Sequence, residues 1–220
     1  MPATSVYQAA LGPDFPALHP RLHAYFSAVP AGAVGTGSGV FDVVGTPKRW
    51  LWPALWVLGL AGVLFPVWQH NVPFTVENRS RGDGAGSRAV TARRRFHLTG
   101  GDRVMTDVMR ARNGELVDSI GSGGLVRARF SARVVDGGLV LRSTHVAVRL
   151  GRLTLPIPAR LSPVVVLSEQ FDDDADAQRV RVTIDAPGLG RLYEYGGNFA
   201  YTVASPAPAR PSEPKEPDHE

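Results

Sequence analysis

The chain has 220 residues, 44% of them hydrophobic and 20% charged, which is enough apolar material for one domain with a sizeable core and is unlike a disordered or collagen-like chain. It has no cysteine, which excludes disulfides, thiolate nucleophiles and Cys-ligated zinc or iron–sulfur centres. The formal charge of +4 is carried almost wholly by arginine, Lys48 and Lys215 being the only lysines, and this bias reads as the composition of a GC-rich coding sequence, with no nucleic-acid partner expected. Met1 to Ala10 lack the basic start and apolar core of a secretory signal, so the expected location is cytoplasmic, peripheral to the inner face of the cell membrane.

In chain order, Ser5 caps a short helix that ends near Gly12. Phe15, Leu18, Leu22, Tyr25, Phe26 and Val29 recur at helical spacing, with Pro16 and Pro20 disturbing the first turns. The N-terminal helices therefore occupy 4–29. Glycine-rich residues 32–39 follow, and then Val40–Val44, bounded by Gly39 and Gly45, read as a strand.

From Trp50 to Trp68 no residue is charged, and a fully helical path of that length covers roughly 28 Å, close to the hydrocarbon thickness of a bilayer. Trp50, Trp52, Trp56 and Trp68 are the candidate membrane contacts, since amphipathic rings favour the headgroup level. Pro53 and Pro66 leave only 53–65 as uninterrupted helix, roughly 20 Å, which is short for a span. One long apolar helix is expected over 50–68, buried or lying in a membrane interface, with a single-pass span as the alternative.

Beyond Val72 the period becomes two. Val126, Ala128, Phe130, Ala132 and Val134 share one face of a strand, and Arg127, Arg129 and Arg133 share the other as a solvated or lipid-headgroup stripe. Asn113-Gly114 and Asp136-Gly137-Gly138 supply the positive-φ positions of two tight hairpins. A last strand over 190–203 places Tyr193, Tyr195, Phe199, Tyr201 and Val203 on one side. Eight or nine mostly antiparallel strands result. The expected fold is α+β and strand-dominated: a curved antiparallel sheet or partial β-barrel with N-terminal helices, forming one domain over 1–204, followed by a proline-rich disordered tail, 205–220.

Several ordered blocks carry a family resemblance: Leu11-Gly12-Pro13-Asp14-Phe15 with Leu18 and Pro20, Gly39-Val40-Phe41-Asp42-Val43, Val72-Pro73-Phe74-Thr75-Val76, Arg95-Phe96, Leu116-Val117-Asp118, Gly138-Leu139, Leu155-Pro156-Ile157-Pro158, and Pro187-Gly188-Leu189-Gly190 with Tyr195-Gly196-Gly197. From Tyr7 to Tyr201 the chain resembles the bacterial family of domain of unknown function 4166. The resemblance implies no established activity and no catalytic residue, and it implies an oxidoreductase partner, because similar domains are attached to nicotinamide-dependent modules. If Val40–Val44 shares a sheet with the later strands, as the resemblance implies, a single span between them is excluded.

Arg94 shares a strand face with Val90, Ala92, Phe96 and Leu98. Pointing inward it would need a partner or an anionic ligand, and a bulge that turns it outward is the favoured alternative. Arg94, Phe96, Tyr193, Tyr195 and Phe199 are the candidate ligand-binding set. Glu194 falls opposite the tyrosines and so outside, with Glu169 and Asp185 nearby. His19 and His23 have helical ligand spacing but lack a third ligand, Asp172, Asp174 and Asp176 fail the calcium-loop pattern at Ala177 and Thr183, and the glycine clusters precede strands instead of helices. No metal or cofactor is expected. These features favour a non-catalytic module that binds a hydrophobic or lipid-like ligand at a membrane surface; the alternative is an enzyme, or an accessory to an oxidoreductase, that uses Arg94 and Glu194 on a small acidic substrate.

Overall fold

The computed structural model describes residues 4–82 and 88–204, so the tail at 205–220 lies outside the described residues. Antiparallel strands dominate: β1 (Val34–Gly45), β2 (Trp68–Gly82), β3 (Arg88–Leu98), β4 (Gly101–Arg112), β5 (Glu115–Ile120), β6 (Val126–Val135), β7 (Gly138–Leu150), β8 (Leu153–Pro156), β9 (Val164–Asp172), β10 (Ala177–Ala186) and β11 (Gly190–Ala204). Each strand pairs with a sequence neighbour, β1 pairs β11, and β7 pairs both β6 and β9, so ten strands close a barrel and β8 hangs from β7. Closure removes the free edges that a merely curved sheet would leave.

The hairpin turns form where the sequence places them. Asn113 and Gly114 have φ of 51° and 77°, and Asp136 and Gly137 have 49° and 73°, the left-handed pair that a two-residue turn requires. Two further features were not foreseen. The strand expected over Val40–Val44 already begins at Val34, so glycine-rich 35–39 belongs to β1, and Leu153–Pro156 is a strand of its own. The β1 glycines make room: a Cβ on Gly37 would lie 2.9 Å from Val76 Cγ1, and one on Gly39 would lie 2.1 Å from the Asn198 carbonyl oxygen and 2.6 Å from Phe199 Cβ.

The N-terminal segment plugs one end of the barrel. Its first helix, α1 (Val6–Leu11), carries a complete capping box, Ser5 Oγ accepting from the Gln8 N–H at 3.0 Å and Gln8 Oε1 accepting from the Ser5 N–H at 2.7 Å. The helical stretch expected over 15–29 is broken at its prolines into tight 3₁₀ turns and the four-residue α2 (His23–Phe26). Val6, Leu22 and Phe26 are fully buried against the barrel interior.

The apolar stretch caps the opposite end, and the long helix expected over 50–68 does not form. Helix α3 covers only Trp52–Leu60, the chain turns at Gly62, and Trp68 already opens β2. Pro66 and the buried Val63 and Phe65 explain the break, because the segment gains more by inserting side chains into the barrel mouth than by extending a helix. No helix among the described residues is long and apolar enough to cross a membrane.

The core is aromatic: Phe41 stacks on Phe74 at 3.7 Å, and Phe96 meets Phe41, Phe65 and Tyr195 at 5.4–5.8 Å. At the α3 end β7 forks, its first half pairing β9 (Leu139–Arg142 with Glu169–Val166) and its second half pairing β8 (Ala147–Leu150 with Pro156–Leu153). Ser143 Oγ accepts from the Val165 N–H at 2.9 Å and bridges the fork. Gly39→Ala pushes a methyl into the β11 backbone, so urea denaturation is expected to show a loss of about 1–3 kcal/mol.

Candidate functional site

The barrel encloses a cavity of about 240 Å³. Its wall is largely apolar, with Met105, Met109, Phe130, Leu139 and Leu141 prominent, and Leu58, Val63 and Leu64 from the α3 segment and Ile157 and Pro163 from the loop after β8 cover one end. At the other end Tyr7 and Phe26, from the N-terminal plug, complete the lining.

One polar cluster interrupts this surface. Arg94 on β3, Asp107 on β4, Asp118 on β5 and Glu169 on β9 all face the cavity. The bulge expected to turn Arg94 outward does not occur: β3 pairs with β2 and β4 in unbroken register, Arg94 opposite Val76 and Met105, so the alternation of its apolar neighbours carries it inward. There it forms a direct ion pair with Asp107, the side chains being 17% and 6% exposed. Glu169 accepts from Gln178 Nε2 at 2.5 Å. Asp118 Oδ1 is buried with no hydrogen-bond partner among the described residues, an arrangement that is costly unless a bound group or water satisfies it.

Burial governs the protonation of this cluster. Loss of solvent opposes the Arg94 charge, but Asp107, the nearby tyrosines and Asp118 outweigh it and hold the guanidinium charged well above its usual range. Burial lifts the Asp107 carboxyl, with Arg94 pulling it back only in part. Asp118 is driven well above the aspartate range by burial and then by the charge of Asp107. Glu169 is raised by burial from 4.5 to about 7, against the opposing pull of Arg94 and the Gln178 hydrogen bond. Tyr195 is pushed up to about 12 by burial.

Of the five residues expected to bind ligand, Arg94 and Tyr195 line the cavity. Phe96, Tyr193 and Phe199 are buried in the aromatic core beside it; Tyr193 Oη accepts from the Phe65 N–H at 3.4 Å, and Phe199 packs edge-on to Tyr25 and Phe74. Glu194 lies on the outer wall and pairs with Arg191 at 2.8 Å and Arg181 at 3.5 Å, and Asp185 also pairs with Arg191. A site joining Arg94 to Glu194 is therefore ruled out by the barrel wall between them. The acids that do face Arg94 were legible as interruptions of period two: Asp107 between Met105 and Met109, Asp118 after Leu116, and Glu169 after Leu167.

Elsewhere, His19 stacks on Phe171 and lies 3.5 Å from Asp173, while His23 Nε2 contacts the Leu18 carbonyl at 3.0 Å. Asp172 Oδ1 accepts from the Asp174 and Ala175 N–H groups and shapes the β9–β10 turn. His97 contacts Asp102 and His145 contacts Thr144, so the two strand histidines have separate partners. Arg110, Arg112, Arg127 and Arg129 flank a shallow groove on the outer wall.

A closed antiparallel barrel with an apolar interior cavity and a buried charged cluster defines the class. Residues 18–199 match the family described as Domain of unknown function (DUF4166), and the chain belongs to that family. No curated protein matches it.

Two outcomes follow from the cluster. Asp107→Ala strands the Arg94 charge and is expected to cost about 3–5 kcal/mol in chemical denaturation, whereas Arg94→Met with Asp107→Leu recovers most of the loss. Glu169 holds its proton more tightly in the folded chain, so the stability it contributes is full below about 4.5 and is lost as pH rises to about 7. Glu169→Gln is expected to flatten that decline in melting temperature across the same interval.

Proposed function

We propose that the barrel is a non-catalytic binding module for a compact hydrophobic or lipid-like molecule with one uncharged polar end. The observation that carries this is the unpartnered, buried Asp118 Oδ1 in the wall of an otherwise apolar cavity. An apolar void of this kind gains from occupancy, because its lining atoms lack contacts on one side and water is poorly held there. At about 240 Å³ it matches roughly eight waters at ~30 Å³ each and falls just under the usual range of ligand sites, about 300–1,000 Å³. A single short chain or a fused-ring skeleton fits; a two-chain phospholipid does not.

Charge selects the polar end. Arg94 is already matched by Asp107, and burial disfavours the ionised form of Asp118, so neither a carboxylate nor a phosphate finds a free counter-charge. A hydroxyl suits the site best, since it both donates and accepts and therefore meets Asp118 Oδ1 in either protonation state.

The rival with a specific observation behind it is acid–base catalysis. Glu169 titrates near neutrality in the wall of a largely apolar cavity, and such a group moves protons well at pH 7. In that case a bend near pH 7 in the rate profile disappears in Glu169→Gln.

Native mass spectrometry of protein purified without detergent, followed by titration with medium-chain alcohols, tests the binding reading. A mass adduct, or saturable binding of the alcohol over the matching carboxylic acid, is expected. Ala128→Phe, which fills the cavity, abolishes uptake without lowering the melting temperature, and Asp118→Leu weakens the alcohol by about tenfold, the worth of one buried hydrogen bond. An empty protein that binds neither alcohol nor acid overturns the proposal.

A further inference from the structure

The capping segment is apolar all the way round, unlike a surface helix that presents a polar face to water. Leu55 faces the core and Leu58 lines the cavity, while Trp50, Trp56, Val57 and Leu60 on the other side are 60%, 60%, 59% and 70% exposed. Across the same barrel end, the β7–β8 hairpin shows Leu150, Leu153 and Leu155, the following loop shows Leu161 and the β10–β11 turn shows Leu189, each more than half exposed. Nine of the twelve exposed large hydrophobics among the described residues thus collect at one end, the end where α3 and 157–163 cover the cavity. Scattered apolar residues need no explanation, but a ring of them at a cavity mouth does.

Among the described residues the unpaired charge around the ring has one sign. Lys48, Arg49, Arg103, Arg152 and Arg160 belong to this end, and none makes an ion pair among the described residues. Its acids are already engaged: Asp102 with Arg95 and His97, and Asp185 and Glu194 with Arg191. Elsewhere the outer wall is a poor match for lipid, since Arg129, Arg133, Arg179 and Arg181 project from the mid-strands, the reverse of a barrel whose girth sits in a bilayer.

We infer that this end of the barrel docks peripherally on an anionic lipid bilayer, Trp50, Trp56 and Leu60 entering the headgroup region and Leu153 and Leu161 following on the opposite rim. Arginines and Lys48 around the ring meet the phosphates. Two of the four tryptophans do not take part: Trp52 donates from Nε1 to the Thr46 carbonyl at 3.3 Å, and Trp68 packs in β2 against His70. Docking in this orientation puts the end of the cavity covered by α3 and 157–163 against the membrane.

The test is co-sedimentation with vesicles of phosphatidylcholine containing about a quarter phosphatidylglycerol, compared with pure phosphatidylcholine, alongside tryptophan emission. Binding to the anionic vesicles with a blue shift is expected, with much weaker binding to the neutral ones. Trp56→Ser with Leu60→Ser weakens partitioning about tenfold or more, and Arg152→Glu with Arg160→Glu removes the preference for phosphatidylglycerol. Neither pair lines the cavity, so both leave the melting temperature and alcohol binding unchanged; loss of alcohol binding in the parent protein strikes the cavity reading alone. The inference is overturned by absence of binding to either vesicle, by partitioning that the substitutions leave intact, or by a dimer in light scattering that the same substitutions dissociate, which assigns the ring to a second copy of the chain.

Discussion

Everything in this molecule depends on the sheet meeting itself. Because β7 pairs with β6 on one side and β9 on the other, every inward side chain from ten strands faces a common interior, and no apolar face is left for helices to cover. The helical segments are therefore free to act as stoppers, one entering from the N-terminus and one formed by the stretch between β1 and β2. A cavity survives between them because the wall is too wide for the side chains that line it.

Within that interior the buried charges are arranged with economy. A lone arginine in an apolar barrel would be very costly, and Asp107 neutralises it from the adjacent strand. Asp118 and Glu169 then face a site whose arginine is already paired, and burial makes both hold their protons more tightly than exposed carboxyls do. The Arg94–Asp107 pair thus adds polarity to the apolar wall without adding net charge.

Much of this was legible in the chain itself. Alternation located nearly all the strands, the Asn113-Gly114 and Asp136-Gly137 turns fixed two hairpins, and the ordered blocks pointed to the correct family. Three features were not legible, each for a physical reason. The helix over 50–68 was overextended because hydrophobicity alone cannot tell a segment that lies in lipid from one that folds back on Gly62 to seal a barrel. The glycines of β1 fell outside the strand expected over Val40–Val44 because their role, admitting the backbone of β11 and the ring of Phe199, exists only once strands distant in sequence are paired. Arg94 was expected outside on the general cost of burying charge, a cost that its cross-strand partner Asp107 removes.

The fork in β7 has a mechanical consequence. Along most of its circumference the wall can part only by breaking a full ladder of backbone hydrogen bonds, but beyond Arg142 the two flanking strands are joined through a single serine hydroxyl and a four-residue ribbon. Spreading the wall there disturbs neither the main ladder nor the buried ion pair. The side of the cylinder is thus least tied along this short stretch, and the β7–β8 hairpin is the element whose displacement would break the fewest backbone hydrogen bonds.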